Sequence, residues 1–113
     1  MPLANDRITA HPFLRSLYQD GYYPDHVVDR GRAVLLALCA RIEADRPAGL
    51  PALHVLTHAA TEEFNDLEAA FEEAGSMIET VGREAIAEDF WFVAQAYGFT
   101  DADVEELIAP REW

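Results

Sequence analysis

The chain has no lysine; its eight basic residues are all arginine. That removes Schiff-base catalysis and the lysine of a phosphate-binding loop. The only serines are Ser16 and Ser76, and the six glycines do not form a dinucleotide-binding fingerprint. A single cysteine, Cys39, lies in the apolar run Val34-Leu-Leu-Ala-Leu-Cys-Ala. One cysteine makes neither an internal disulfide nor a thiolate zinc site, and its neighbours mark it as a small core residue. No apolar stretch approaches the roughly 18 residues a membrane helix needs. The first residues lack a basic segment followed by an apolar one, so the expected location is the cytoplasm.

What is present is a globular chain. Half of the 113 residues are apolar and 11% aromatic, which places the chain outside the disordered class. One domain accounts for the whole length, 1–113. At 12.6 kDa its folded surface should be about 6,200 Å².

The net charge of −13 is unevenly placed. Residues 1–50 hold six Arg and six acids; residues 51–113 hold two Arg and fifteen acids. Binding to nucleic acid or to an anionic membrane needs clustered cations, which the second half lacks. A protein with a basic surface is the natural partner for it.

Helical periodicity and punctuation divide the chain. Residues 11–19 form a short amphipathic piece, followed by the aromatic turn Asp20-Gly-Tyr-Tyr-Pro24. A long helix runs from Pro24 or Asp25 to about Arg46, with Val28, Gly31, Leu35, Leu38 and Ile42 on one face. A second runs from Pro51 to near Gly75 with Leu53, Leu56, Ala60, Phe64, Leu67 and Phe71 as its core stripe. Ser76 and Glu79 match a capping box, predicting a third long helix to about Tyr97, ended by Gly98. The heptad-like stripe favours a partner helix packed nearly antiparallel. Thr100 should cap a short last helix closed by Pro110, which also accounts for Asp101, Asp103 and Glu105 without a calcium loop. No segment alternates as a strand. The expected fold is all-α, a compact bundle of three long helices with short helices at both ends.

One flank of the second helix is polar: His54, His58, Thr61, Asn65 and Glu72 lie in a strip beside the core stripe. His54, His58 and Glu62 are spaced i, i+4, i+8, each step rotating about 40°. Two imidazoles one turn apart, with a carboxylate, can chelate a divalent transition metal. If the next helix packs antiparallel, His58 faces Glu88 or Asp89, giving the set His54, His58, Glu62, Glu88 and Asp89. The spacing matches neither the zinc-protease motif nor a di-iron bundle. The plainer alternative is a helix flank whose histidines bond to a neighbouring segment. Further on, Phe90, Trp91 and Phe92 span about 200° of a helix. One of them must therefore face another element, a partner, or a second copy in a homodimer.

Several segments resemble a family of small uncharacterised bacterial proteins, a catalogued domain of unknown function. They are His11-Pro-Phe, Tyr22-Tyr-Pro-Asp, Val28-Asp-Arg-Gly, Thr57-His-Ala-Ala-Thr-Glu-x-Phe-Asn-Asp-Leu, Glu79-Thr-Val-x-Arg-Glu and Arg111-Glu-Trp113. The resemblance spans almost the whole chain and implies a bacterial origin and a compact domain. It brings no activity, cofactor or site residues. Two functional expectations stand on the residues themselves. The first is a non-enzymatic interaction or regulatory module, inhibitor-like, meeting a basic partner through Glu62, Glu63, Asp66, Glu72 and Glu73. The second is a metal-binding protein or metal-dependent enzyme on the histidine strip.

Overall fold

Apolar residues at steps of three and four make two long helices that bury matching stripes. In the computed structural model, which describes residues 3–113, these are α3 (Asp25–Asp45) and α4 (Leu50–Glu73). Val28, Gly31, Leu35, Leu38 and Ile42 of α3 are all buried, as are Leu53, Leu56, Ala60, Phe64, Leu67 and Phe71 of α4. Among the described residues these two helices make the most extensive helix–helix contact. Each buried Leu or Phe contributes about 1.5–3 kcal/mol relative to exposure. Gly31 leaves room for side chains rather than for a backbone crossing: a Cβ there would lie 3.1 Å from both Leu14 Cδ1 and Phe64 Cε1.

The remaining helices are α1 (Asp6–Ala10), α2 (Arg15–Gln19), α5 (Thr80–Ala96) and α6 (Val104–Leu107). The all-α plan holds, and no strand occurs among the described residues. One contiguous core receives side chains from every helix, from Ile8 to Leu107. The exposed area of 6183 Å² matches that expected from the mass.

Gly75 and Gly98 end α4 and α5 at φ +85° and +88°, where glycine carries no Cβ penalty. The Ser76 amide donates to the Phe71 carbonyl at 2.8 Å and the Phe99 amide to Ala94 at 2.9 Å, closing both helices in the same way.

Three local expectations are corrected. Residues 11–19 are not one piece: α1, capped by Asn5 through its bonds to the Arg7 and Ile8 amides, precedes a link at His11–Leu14 and then α2. The Asn5-Asp6 pair was the available signal for that helix start. α6 is capped by Asp103, whose carboxylate accepts from the Glu105 amide, and not by Thr100. Ser76 and Glu79 do not form a capping box. Ser76 is buried with its hydroxyl unpartnered, and α5 begins only at Thr80. The cap comes from afar: the Tyr23 hydroxyl accepts from the Gly82 amide at 3.2 Å. Burial raises the Tyr23 phenol above its usual range, so it stays neutral.

The condition for bringing His58 to Glu88 or Asp89 is not met. α5 does not lie along α4; its main neighbours are α2 and α6. The space between α4 and α5 is filled by rings. Phe64 meets Phe90 at 5.8 Å between centroids and Trp113 at 6.2 Å. So His58 and Asp89 are not brought face to face.

Gly82 and Tyr23 give a direct test of this packing. A Cβ at Gly82 would lie 2.9 Å from the Tyr23 hydroxyl oxygen. Gly82→Ala should cost about 1–3 kcal/mol in urea unfolding, although alanine is the better helix former. In a Tyr23→Phe background the same change should cost less, because the clashing oxygen is gone. Equal costs in both backgrounds would mean the contact is not felt.

Candidate functional site

The polar flank of α4 is covered by the chain's own last segment. The His54 and His58 rings stack at 5.6 Å, 9° from parallel. His58 Nε2 lies 2.7 Å from the Glu106 carbonyl oxygen and donates to it. Thr61, fully buried, donates from Oγ1 to the Thr57 carbonyl at 2.8 Å and lies 3.5 Å from that of Leu107. Asn65 donates from Nδ2 to the Pro110 carbonyl at 3.1 Å, and its Oδ1 accepts from the Glu112 amide at 2.8 Å. His54 Nε2 is buried without a hydrogen-bond partner, 4.0 Å from a Glu106 carboxylate oxygen. These contacts run along residues 106–112, whose apolar members Leu107 and Ile108 enter the core together with Trp113.

Of the five residues of the expected metal set, only His54 and His58 are seen side by side. His54 and His58 serve the last segment, Glu62 and Glu88 are exposed, and Asp89 is buried on α5. Among the described residues no group of three or more His, Cys, Asp or Glu is arranged to hold a metal ion. The geometry corresponds to the plainer alternative, a flank whose histidines meet a neighbouring segment.

Asp89 has a role that the sequence did not disclose. Its Oδ1 accepts from His11 Nε2 at 2.7 Å and its Oδ2 from the Leu14 amide at 2.7 Å. Leu14 stands at φ 57°, a left-handed conformation for a residue with a Cβ, and its side chain is buried. Such a conformation costs of order 1–3 kcal/mol and persists where its surroundings over-determine it. His11 also stacks on Phe92 at 3.8 Å and meets Phe13 edge-on at 4.6 Å. The link before α2 is thus fixed at one point of α5.

A third polar group lies at the other end of α5. The Glu43 carboxylate accepts from the Tyr97 hydroxyl at 2.6 Å, from the Ala4 amide at 2.9 Å and from the Asn5 amide at 3.2 Å. The Tyr97 bond and then the Ala4 amide hold the Glu43 carboxyl below its ordinary value. Burial, then the hydrogen bond to Glu43, pushes the Tyr97 phenol far above its usual range. Burial pushes the Cys39 thiol up to about 12, so it carries no thiolate reactivity. An open cleft of about 600 Å³ adjoins this group, lined by Asn5, Glu43, Arg46, Tyr97 and Phe99 among others.

The expected acidic residues are all on the surface. Glu62, Glu63, Asp66, Glu72 and Glu73 are exposed on α4. None of them belongs to the ion pairs formed among the described residues, where the two arginine pairs are Arg41 with Asp45 and Arg111 with Glu105. The aromatic triplet divides as helical geometry requires. Phe90 is fully buried, Phe92 lies under His11 and Arg7, and Trp91 is 47% exposed.

Fold and surface together define a small helical protein in which several polar side chains bond to the backbone of short segments, while His54 Nε2, the Ser76 hydroxyl and the Trp113 indole N–H are buried without a partner. The chain belongs to a family of unknown function (DUF5713), whose model matches residues 7–113. No curated protein and no solved structure gives a significant match.

Two measurements test these polar anchors. Asn65→Ala removes both side-chain bonds to residues 110 and 112 and should cost about 1–3 kcal/mol in urea unfolding. The Trp113 indole resonance should move toward its solvent-exposed position; an unmoved resonance would mean that Asn65 does not hold the segment. The second concerns pH. Cys39 and Tyr97 titrate higher when folded, so their contribution is complete below the unfolded values of 9.0 and 10.0. It is lost as pH rises toward the folded values. Glu43, with a lowered folded value, contributes above the ordinary 4.5 and loses this as pH falls through its folded value. The unfolding midpoint should therefore decline from about pH 9 upward, and Tyr97→Phe should make the decline above pH 10 shallower. An unchanged slope in that variant would remove Tyr97 from this account.

Proposed function

We propose that this protein is a non-catalytic interaction module, regulatory or inhibitor-like, that meets a protein with a basic surface through the outer face of α4. The observation that carries the reading is the unpaired state of Glu62, Glu63, Asp66, Glu72 and Glu73 on one helix. The opposite stripe of α4 is buried in the core and its polar flank is occupied by residues 106–112. The outer face is what α4 offers to another molecule. Charge on such a surface raises association rates more than it raises final affinity, and its effect is screened by salt. The histidines support the same reading, because their ring nitrogens are directed to the backbone and acid of Glu106.

The test is chemical cross-linking and pull-down with two forms of the full chain. The wild type should recover a basic partner, and added salt should weaken the recovery. Glu62→Gln, Glu63→Gln, Asp66→Asn, Glu72→Gln and Glu73→Gln combined should leave helicity unchanged and slow association about tenfold or more. Equal recovery by both forms would overturn the reading.

A further inference from the structure

A different face carries a more specific signal. Glu84, Glu88 and Trp91 follow one another on α5 at steps of four and three, which puts them on one side of the helix. All three are exposed. With Ala87 and with Val104 from α6 they line a shallow cleft of about 360 Å³. The cleft thus has an indole and two small apolar side chains inside it and two carboxylates beside it. Neither carboxylate takes part in an ion pair among the described residues.

The chain already seats cations on its own rings. The Arg7 guanidinium lies 5.4 Å from the Phe92 centroid, and that of Arg111 lies 5.8 Å from Trp113. Both are within the roughly 6 Å over which a ring face attracts a cation. Trp91, the ring type with the strongest attraction, has no such neighbour among the described residues.

We propose that the Trp91–Glu84–Glu88 face of α5 is the seat for an arginine side chain of a basic partner protein. The guanidinium lies on the indole and its N–H groups donate to Glu84 and Glu88; its stem runs over Ala87 and Val104. Charge complementarity selects this occupant. A second copy would carry another −13, and a two-fold contact through this patch would set Glu84 and Glu88 against themselves. A nucleic acid could stack a base on Trp91, but its phosphates would meet the same carboxylates. The inference rests on the reading that the partner is basic, and it adds a second contact surface distinct from the α4 face.

The experiment titrates the nitrogen-labelled full chain with a decapeptide of alternating arginine and glycine, following the two indole N–H resonances. The Trp91 resonance should move and that of buried Trp113 should stay. Trp91→Ala, and Glu84→Gln with Glu88→Gln, should each weaken binding about tenfold, while a glutamate–glycine peptide should not bind. The five-residue α4 variant is titrated in parallel. Loss of binding there but not in Trp91→Ala overturns this inference and leaves the α4 reading standing. Loss in Trp91→Ala alone supports the inference against the α4 reading, loss in both supports both, and loss in neither overturns both. Sedimentation of the free chain supplies the remaining check: a dimer that Trp91→Ala dissociates would give the face to a second copy and overturn the inference.

Discussion

The bond from the Leu14 amide to the Asp89 carboxylate is the constraint on which the placement of α5 depends. α5 has little backbone contact with α4 and packs instead on α2 and α6. α2 can take its position only if the chain turns sharply at Leu14, and the turn requires a left-handed conformation. A charged acceptor suits this task. Bonds to a carboxylate are about twice as strong as neutral ones, so one buried acid can hold a strained amide and an imidazole together. Buried Leu14 then contributes to the same core as Phe64, against Gly31. Removing the acid would leave the Leu14 amide and His11 Nε2 without their partner, which is more damaging than never having had the pair.

The other end of the chain is held by the same kind of interaction in reverse. Asn65 on a long helix accepts from one backbone group of the last segment and donates to another, and His58 takes a third. In each case a polar side chain on a long helix satisfies backbone groups of a short, irregular segment. Six or seven residues of irregular chain cannot satisfy their own backbone when buried, so the long helices must supply the partners. Glu43 does this for Ala4 and Asn5. His58 and Asp89, singled out from the sequence for chemistry, are committed to backbone groups, whereas His54 Nε2 is buried without a partner and Glu62 and Glu88 face solvent.

What could be read from the sequence were the features set by neighbours within a few residues. The stripes of α3 and α4 follow from helical spacing, and the ends at Gly75 and Gly98 follow from glycine's tolerance of positive φ. The angular position of His54, His58, Thr61 and Asn65 beside the core stripe was also legible. Their partners were not, because Glu106, Pro110 and Glu112 lie 45 to 48 residues further along. The capping box failed for the same reason. Ser76 and Glu79 have the right spacing, but Ile78 is drawn into the core and Tyr23, 59 residues away, takes the amide that a local cap would have served. Asp89 was read as a candidate partner of His58, and nothing near it in sequence points to residues 11 and 14.

This division of polar groups bears on function. Asp89, Glu43, His58 and Asn65 each bond to backbone groups of short segments, and His11 bonds to the Asp89 carboxylate. The first three helices expose arginines, whereas the exposed charged groups on α4 and α5 are carboxylates, with the Trp91 indole beside two of them. Their charge is not needed for folding, since exposed acids contribute little to stability, and like charges on one helix face cost a few tenths of a kcal/mol per pair. Five such acids on α4, with Glu84 and Glu88 flanking Trp91, thus oppose the fold slightly while enlarging the field around the molecule. A basic partner would turn that cost into a gain, because neutralising the acids on binding removes their mutual repulsion as well as adding new contacts.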